Sequence, residues 1–291
     1  MLLRLFTLSV SSLLLMACST MSDPSGRSEG VPFETGIEPD VVWSPADWPE
    51  ILRADIHYPR TGGERPGVLM VHGGGWERRS RSDMQSTAEK LAEAGYVVMN
   101  VDYRFAPEYQ FPAQLHDMQL AMRWLRAQAE QLGVDPQRIG AWGFSSGAHL
   151  VSMLALTAGQ GGELDEPYGG ESAKVAAVVA GGLPADFTLF DSGRRLVQLM
   201  GGTEQQMTEA YREASPVTHV RAGAPPFFLF HGSWDRLVPI EQAEVFLQAL
   251  DEQGVESRLH RQPLRGHLLG FVFSGAATRE GIEFLDAQLI R

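Results

Sequence analysis

A serine between glycines lies where the sequence pattern changes from a strand to a helix. Ser145 is the central residue of the segment GFSSG at residues 143–147, which fits the G-x-S-x-G nucleophile-elbow pattern. A strand-like run at residues 138–142 precedes it, and apolar residues at helical spacing follow it. Strand, tight turn and helix form the context that the motif requires. Taken alone, the motif fits a nucleophile and an ordinary turn about equally well.

A serine hydroxyl needs a base to take its proton, and the base needs a carboxylate to orient it. Asp235 lies just after a buried strand, in the segment HGSWDRLVP at residues 231–239, and His267 lies just after the last predicted strand. The order Ser, Asp, His is that of nucleophile-elbow hydrolases. We therefore predict Ser145 as the nucleophile, Asp235 as the orienting acid and His267 as the general base. Each is expected on a loop at one edge of the sheet.

The remaining histidines do not combine the required order and location. Five of them either precede Asp235 in the chain or lie within a predicted helix or strand: His57, His116, His149, His219 and His260. His72 and His231 belong to motifs, and we expect them to fix loops by hydrogen bonding. The sequence has no H-E-x-x-H motif or Cys/His cluster, and its acidic loop at residues 158–172 lacks standard Ca²⁺-loop spacing. No metal or other cofactor is expected.

A glycine run follows an earlier buried strand, in the segment HGGGW at residues 72–76. Three glycines keep side chains away, so that backbone N–H groups can point at a developing negative charge; one such donor contributes about 3–4 kcal/mol. The N–H of Ser146, the residue after the predicted nucleophile, would be another donor. Only the backbone of Ser146 is expected to matter, not its hydroxyl. A phosphate cradle is the alternative, but the run lacks G-x-G-x-x-G spacing and a Walker lysine.

The elements between these motifs must bring them together. Buried strands are predicted at residues 67–71, 96–101, 175–180 and 227–230, and a further strand at residues 257–264. Helices are predicted at residues 82–93, 115–132, 148–155, 243–250 and 282–289. Their alternation implies an α/β fold with a mostly parallel central sheet and helices on both faces. Ligands of such a sheet bind outside the carboxyl ends of the strands. Residues 54–58 alternate like an edge strand, and residues 31–50 are expected to cross the surface.

Two parts of the chain are candidates for the walls of a substrate pocket. Residues 183–220 carry scattered apolar residues and are predicted to form a small lid. Phe187 in this lid is a candidate pocket wall, although such residues also serve simply to pack a lid onto its domain. Trp76 and Trp234 flank the predicted site and are the other candidate walls.

The N-terminal segment predicts a lipid anchor. Residues 1–17 combine a basic start with an apolar run that is too short for a spanning helix and fits a signal peptide. The run ends in LMAC, which resembles the bacterial lipobox, where the cysteine is acylated; Cys18 is the only cysteine of the chain. Residues 18–30 would form a lipidated flexible tether that reaches about 20 Å. We expect the bacterial cell envelope, with Ser19 favouring the outer membrane by resemblance. An ordinary signal peptide with a chance cysteine is the alternative.

The length and the net charge of the chain limit the number of domains and the classes of binding partner. The chain has 291 residues, which suits one large α/β domain or two small ones, and we place the catalytic domain at residues 31–291. The formal net charge of −12, without a Lys/Arg-rich run, argues against nucleic acid as a partner. Contact with a membrane is expected only through the N-terminal lipid, and no oligomeric state is predicted.

Five segments carry a family resemblance: HGGGW at 72–76, DYRFAPEYQFPAQLHD at 102–117, GVDPQRIGAWGFSSG at 133–147, SPVTHV at 215–220 and HGSWDRLVP at 231–239. With them the chain resembles the α/β-hydrolase esterases of the hormone-sensitive-lipase-like and bacterial carbohydrate-esterase type. The site residues that this resemblance implies are Ser145, Asp235 and His267 as the triad, and Gly74, Gly75 and Ser146 as oxyanion donors. HGSWDRLVP differs from the D-P-L-x-D-type motif of hormone-sensitive-lipase relatives, which favours the carbohydrate-esterase or acetylesterase branch. Many relatives have Ala or Gly where this chain has Ser146.

The resemblance implies an α/β-hydrolase fold and a serine carboxylesterase that hydrolyses short-chain acyl esters through an acyl-enzyme intermediate. Acetylated carbohydrates are one candidate substrate class, and the partner would be a small-molecule ester. A serine peptidase or amidase is the first alternative, because HGSWDRLVP also resembles prolyl-oligopeptidase-type domains. A non-catalytic surface-binding lipoprotein is the second alternative, which the presence of all three triad residues disfavours.

Overall fold

A central sheet of eight strands organises the part of the protein that the computed structural model describes, residues 31–190 and 193–290. The strands are β1 Thr35–Val42, β2 Arg53–Pro59, β3 Arg65–Val71, β4 Val97–Val101, β5 Val134–Phe144, β6 Val178–Gly181, β7 Phe227–Gly232 and β8 Ser257–Gln262. Their order across the sheet is β1-β2-β4-β3-β5-β6-β7-β8. β2 is antiparallel to both neighbours, and the other pairs are parallel. The predicted mostly parallel sheet is confirmed.

Helices cover both faces of this sheet. They are α1 Gln85–Glu93, α2 Ala113–Ala127, α3 Ala129–Leu132, α4 Ser146–Thr157, α5 Arg194–Met200, α6 Thr208–Glu213, α7 Glu241–Glu252, α8 His267–Val272 and α9 Gly275–Leu289. Buried side chains of α1 and α9 pack in one core, and those of α2, α4 and α7 pack in the other. The predicted helical cover on both faces is therefore confirmed.

The side chains of β3 show how the two layers form. Val68 and Met70 belong to the core shared with α1 and α9, whereas Leu69 and Val71 belong to the core shared with α2 and α4. Successive residues of a strand point to opposite faces, so a strand covered on both faces is apolar throughout. Every residue of β3 is buried, and burial of one such apolar side chain contributes about 1.5–3 kcal/mol. The continuous apolar run that predicted this strand reflects burial on both sides.

Two details of the sequence prediction are wrong. The edge strand is β1, which lies within residues 31–50, and not the segment at residues 54–58. That segment belongs to β2, which pairs with β1 on one side and with β4 on the other. The helix predicted at residues 115–132 is interrupted at Gln128, between α2 and α3. Its apolar spacing continues across the interruption, so the pattern alone did not reveal the break.

Residues 183–220, the predicted lid, contain α5 and α6 together with the 3-10 helices Phe187–Leu189 and Pro216–His219. Leu196, Leu199 and Tyr211 of this segment are buried in the same core as α2 and α4. The segment is therefore packed onto the domain through its apolar side chains, which is the simpler role considered for most of them.

The predicted signal peptide at residues 1–17 and the tether at residues 18–30, including Cys18, lie outside the described residues. In the part of the chain that the structure describes, every helix is too short or too polar to cross a membrane. The prediction of a lipid anchor remains a prediction from sequence.

Candidate active site

Ser145 lies at the turn between β5 and α4. Its backbone has φ 54° and ψ −121°, a conformation that residues other than glycine seldom adopt. Its N–H donates to the Gly181 carbonyl at 2.7 Å, which ties the turn to β6. A Cβ on Gly143 would lie 2.3 Å from the Gly147 carbonyl oxygen, and one on Gly147 would lie 2.2 Å from the Val71 carbonyl oxygen. Glycine at both places lets strand and helix approach closely, and the turn presents the Ser145 hydroxyl at its tip.

Two further side chains extend from this hydroxyl in a chain of hydrogen bonds. His267 Nε2 lies 2.8 Å from Ser145 Oγ, although the two residues are 122 positions apart. His267 Nδ1 lies 2.6 Å from Asp235 Oδ2. Asp235 lies on a loop after β7, but His267 is the first residue of α8 and not part of a loop. With six residues, α8 is too short to show a helical period in the sequence.

Asp235 is held by the backbone of its own loop. Its Oδ1 accepts hydrogen bonds from the N–H groups of Leu237 and Val238, both at 2.9 Å. The carboxylate is buried, and Oδ2 is left to accept from His267. His231 Nε2 lies 2.8 Å from the Val238 carbonyl oxygen, and burial lowers the pKa of this histidine. A neutral His231 therefore donates to Val238 and fixes the acid loop, as predicted.

The glycine run after β3 lies beside the serine turn. Gly74 has φ 132°, and a Cβ there would lie 2.0 Å from the Arg78 carbonyl oxygen, so the loop requires glycine at this position. The Gly75 N–H, which the resemblance makes an oxyanion donor, donates instead to Ser146 Oγ at 3.1 Å. Within the described residues, the N–H groups of Gly74 and Ser146 have no protein acceptor. These two N–H groups have no bond to give up when a ligand binds, whereas the Gly75 N–H is occupied.

The Ser146 hydroxyl has contacts that the sequence interpretation did not foresee. It accepts from Gly75 and lies 3.2 Å from the Tyr103 hydroxyl, which lies 3.3 Å from the His72 carbonyl oxygen. Burial raises the pKa of Tyr103, so its hydroxyl stays protonated and can donate. The hydroxyl therefore joins the glycine run to α4, a contact that the sequence interpretation did not give it, and the expectation that only the Ser146 backbone serves the reaction stays a prediction. A serine where many relatives have Ala or Gly was the available signal.

A buried histidine that the sequence interpretation set aside supports the same region. His149 Nδ1 accepts from the indole N–H of Trp76 at 3.2 Å, and its Nε2 donates to the Ala214 carbonyl oxygen at 2.8 Å. Burial lowers the pKa of His149 to about 4, which keeps the ring neutral. Phe187 stacks on His149 with ring centroids 4.7 Å apart. His149 thus joins α4 to the glycine run and to the lid.

A cavity of about 990 Å³ opens over Ser145 and His267, and Trp76 is among its lining residues. Phe187 is fully buried and packs edge-on against Trp76 with centroids 5.5 Å apart, so it supports a wall from behind. Trp234 is 64% exposed and does not line the cavity. The prediction of Phe187 and Trp234 as pocket walls is therefore wrong. Neighbouring residues on the tight turn after β7 point in different directions, inward for the acid and outward for Trp234.

The arrangement places a hydroxyl, a proton acceptor and the Gly74 backbone at one cavity, and the N–H of Ser146 belongs to the residue that follows the hydroxyl. Such a set can attack a carbonyl carbon, move the serine proton and bind the negative oxygen that forms. Among residues 31–190 and 193–290, no group of three or more His, Cys, Asp or Glu side chains is placed to hold a metal ion.

Residues 54–250 of the chain match the BD-FAE family. Esterase LipC of Mycobacterium tuberculosis is 33% identical over 195 residues, which are 64% of this chain and 48% of LipC. The chain spans about half the length of the curated relatives that it matches.

Solved structures share the fold. A truncated form of a carbohydrate esterase from gut microbiota has a TM-score of 0.80 at 23% identity, covering 91% of this chain and 99% of that one. An esterase from Thermogutta terrifontis with butyrate bound has a TM-score of 0.71 at 26% identity, covering 84% of this chain and 92% of that one. These likenesses confirm the α/β-hydrolase fold. Since the family match covers more than half of its residues, the chain belongs to the BD-FAE family.

Proposed function

We propose that this chain is a serine hydrolase that cleaves carboxylic esters through an acyl-enzyme intermediate. The observation that carries the proposal is the pair of contacts made by His267, 2.8 Å to Ser145 Oγ and 2.6 Å to Asp235 Oδ2. A hydroxyl within hydrogen-bond reach of an imidazole, itself oriented by a carboxylate, is the arrangement that serine nucleophiles require. Asp235 accepts from Nδ1, so that Nε2 of His267 is free to take the serine proton.

In the first half of the reaction, Ser145 Oγ attacks the ester carbonyl carbon, and its proton passes to His267 Nε2. The carbonyl oxygen becomes negative and is bound by the N–H groups of Gly74 and Ser146, which have no acceptor among the described residues. Each such donor lowers the barrier by about 3–4 kcal/mol. His267 then gives its proton to the alcohol oxygen as the C–O bond breaks, and the acyl group stays on Ser145.

In the second half, water attacks the acyl carbonyl carbon. His267 takes a proton from this water and returns one to Ser145 Oγ as the acid leaves. The buried Asp235 carboxylate stabilises the imidazolium that forms in both halves. The Gly75 N–H acts indirectly in this scheme, because its bond to the Ser146 hydroxyl holds the two oxyanion donors in position.

The substrate is proposed to carry a short acyl chain. The cavity has an apolar side formed by Phe144, Phe271 and Leu268. The ring centroids of Phe144 and His267 are 5.0 Å apart, so this side is next to the proposed base. Butyrate and propionate bound in structures of the Thermogutta terrifontis esterase support this choice. A cavity of about 990 Å³ leaves space for a sugar-sized alcohol as well, which supports acetylated carbohydrates as candidate substrates.

Replacement of Ser145 with Ala tests the proposal. Turnover of 4-nitrophenyl acetate and butyrate should fall by at least about 10³-fold, while the circular dichroism spectrum stays that of the wild type. A fluorophosphonate should label the wild type and not the variant; the Thermogutta terrifontis esterase has been solved phosphorylated by paraoxon. Retention of turnover and labelling in Ser145→Ala would refute the proposal.

The same assay separates the alternatives. A peptidase or amidase should cleave 4-nitroanilides of short acids or peptides faster than the matched esters. A non-catalytic binding protein should show no labelling of the wild type and no turnover of either substrate type.

We also propose that a lipid on Cys18 attaches the chain to a membrane of the bacterial envelope, the outer membrane in particular. The support is the apolar run of residues 1–17 followed by the single cysteine of the sequence. Expression with an alkyne fatty acid should label the wild type, whereas Cys18→Ser should lose the label and move to the soluble fraction. A label that persists in Cys18→Ser would overturn the proposed site.

A further inference from the structure

We propose that the ester taken by this site carries a carboxylate on the part of the molecule that does not react. The inference rests on the proposed esterase function and names a substrate class for it. The chain has a net charge of −12, yet arginines crowd its active-site cavity. They are Arg78, Arg79, Arg194, Arg195 and Arg236. The acidic residues of the described lining are Glu77 and Asp83, which leaves a surplus of three positive charges.

Four of these arginines belong to two segments that contact each other. Arg78 and Arg79 follow the glycine run, and Arg194 and Arg195 begin α5 in the lid. The two segments touch, because a Cβ on Gly75 would lie 2.4 Å from Cδ of Arg195. The guanidinium of Arg195 therefore lies against the glycine run, close to the backbone groups proposed to bind the oxyanion.

The acidic residues neutralise only part of this charge. Glu77 Oε1 lies 3.2 Å from Arg195 Nε, and Asp83 Oδ2 lies 3.2 Å from Arg79 Nη1. Within the described part of the chain, Arg194 and Arg236 take part in no ion pair, and both side chains are exposed. Like charges around one cavity repel one another, and an anion bound between them relieves this repulsion.

All five basic residues of the described lining are arginines, which suits a carboxylate. A guanidinium is a planar fork of donors that matches an oxyanion such as a carboxylate or a phosphate in a bidentate way, whereas an ammonium acts as a point charge. A cleft of one sign also raises the local concentration of ligands of the opposite sign. On a chain that is acidic elsewhere, this cavity is the place toward which an anionic ester is drawn.

The experiment compares matched pairs of esters on the full chain. The first pair places the charge on the alcohol: acetate release from O-acetylated galacturonate is compared with release from O-acetylated galactose. The second pair places it on the acyl group: the 4-nitrophenyl monoester of glutaric acid is compared with 4-nitrophenyl valerate. In at least one pair, kcat/KM should be about ten-fold higher for the anionic member, and added NaCl should reduce that advantage.

Charge-removing variants locate the effect. Arg194→Gln and Arg236→Gln should each lower the ratio of anionic to neutral kcat/KM about three-fold, and the double variant should lower it further. Arg279→Gln, an exposed arginine of α9 outside the cavity, is the matched control and should keep the wild-type ratio. Thermal unfolding verifies that each variant is folded.

Two results would overturn the inference. One is equal kcat/KM for both members of both pairs, and the other is a ratio that the double variant leaves unchanged. Failure of the wild type to cleave any of the four esters, together with no fluorophosphonate labelling, would instead contradict the esterase function on which the inference rests.

Discussion

The backbone N–H of Gly75 donates to the Ser146 hydroxyl at 3.1 Å, across a separation of 71 residues. This bond joins the glycine run after β3 to the first turn of α4, and Tyr103 contacts the same hydroxyl at 3.2 Å. The proposed oxyanion donors, the N–H groups of Gly74 and Ser146, belong to the two segments that the bond connects. Their relative position therefore depends on the side chain of Ser146.

Ser146→Ala should lower kcat on 4-nitrophenyl acetate on the order of 10-fold with little change in KM, less than the loss of a donor itself. The Gly75 N–H loses its acceptor, which should also lower the free energy of unfolding by about 1–3 kcal/mol. Ser152→Ala is the matched control, because Ser152 is buried on the same helix and its hydroxyl has no partner in the described residues. Equal kcat for the two variants would show that the Ser146 hydroxyl does not position the site.

Asp235→Asn should lower kcat by about 10⁴-fold, because an amide no longer selects the His267 tautomer with a free Nε2. The amide oxygen can still accept from Leu237 and Val238, so the loop and the unfolding midpoint should change little. Steady-state kinetics on 4-nitrophenyl butyrate measure the loss, with Asp47→Asn on the surface as the control. A loss below ten-fold would remove Asp235 from the proposed triad.

Trp76→Phe and Trp234→Phe form a matched pair that tests the correction of the pocket walls. Trp76→Phe leaves His149 Nδ1 without its donor and should cost about 1–3 kcal/mol of unfolding free energy. It should also lower kcat/KM several-fold, since Trp76 lines the cavity. Trp234→Phe changes an exposed side chain, so the unfolding free energy should stay within about 0.5 kcal/mol. A similar loss of kcat/KM in both variants would contradict the conclusion that Trp76 lines the cavity and Trp234 does not.

Neutral His149 should make stability depend on pH. Its Nδ1 accepts from Trp76 and its Nε2 donates to Ala214. A proton added to Nδ1 would therefore face the indole N–H of Trp76, and this hydrogen bond would be lost. Burial lowers its pKa from 6.5 to about 4, and the unfolded chain therefore takes up the proton first as the pH falls. Between pH 6.5 and pH 4, this residue should reduce the free energy of unfolding by up to about 3 kcal/mol. Well above pH 6.5, where the unfolded imidazole is also neutral, its contribution is constant.

Urea unfolding at pH 7, 5.5 and 4.5 measures this dependence. His149→Gln keeps an acceptor and a donor without a charge, so its free energy of unfolding should fall less between these pH values. Burial also lowers the pKa values of His72 and His231. Part of the dependence of the unfolding free energy on pH should therefore remain in His149→Gln. Ser152→Ala, on the same helix and without an ionisable group, is the control and should retain the wild-type slope. An identical slope in His149→Gln would contradict the prediction.

Sequence order and local pattern were sufficient to select Ser145, Asp235 and His267. A nucleophile elbow needs its glycines within a few residues of the serine, so the requirement is visible in a short window. The acid and base follow strands of a parallel sheet, and the carboxyl ends of such strands meet at one edge. The alternation of apolar runs and helical periods was enough to predict that sheet, because burial on both faces leaves a continuous apolar run.

Side-chain direction on irregular segments could not be predicted in the same way. Trp234 and Asp235 are neighbours, yet the first is exposed and the second is buried. A tight turn has no period that assigns its residues to an inner or outer side. For the same reason the lid residue Phe187 could be proposed as a pocket wall, although the structure places it behind Trp76.

The sequence by itself determined the fold class, the elbow and the order of the three residues proposed for catalysis. Only the tertiary structure decided that Ser146 Oγ accepts from the Gly75 N–H, that His149 accepts from Trp76, and that arginines from two segments line one cavity. Motifs and periods are properties of a few consecutive residues. Contacts between residues 71 and 73 positions apart depend on how whole segments pack against the sheet.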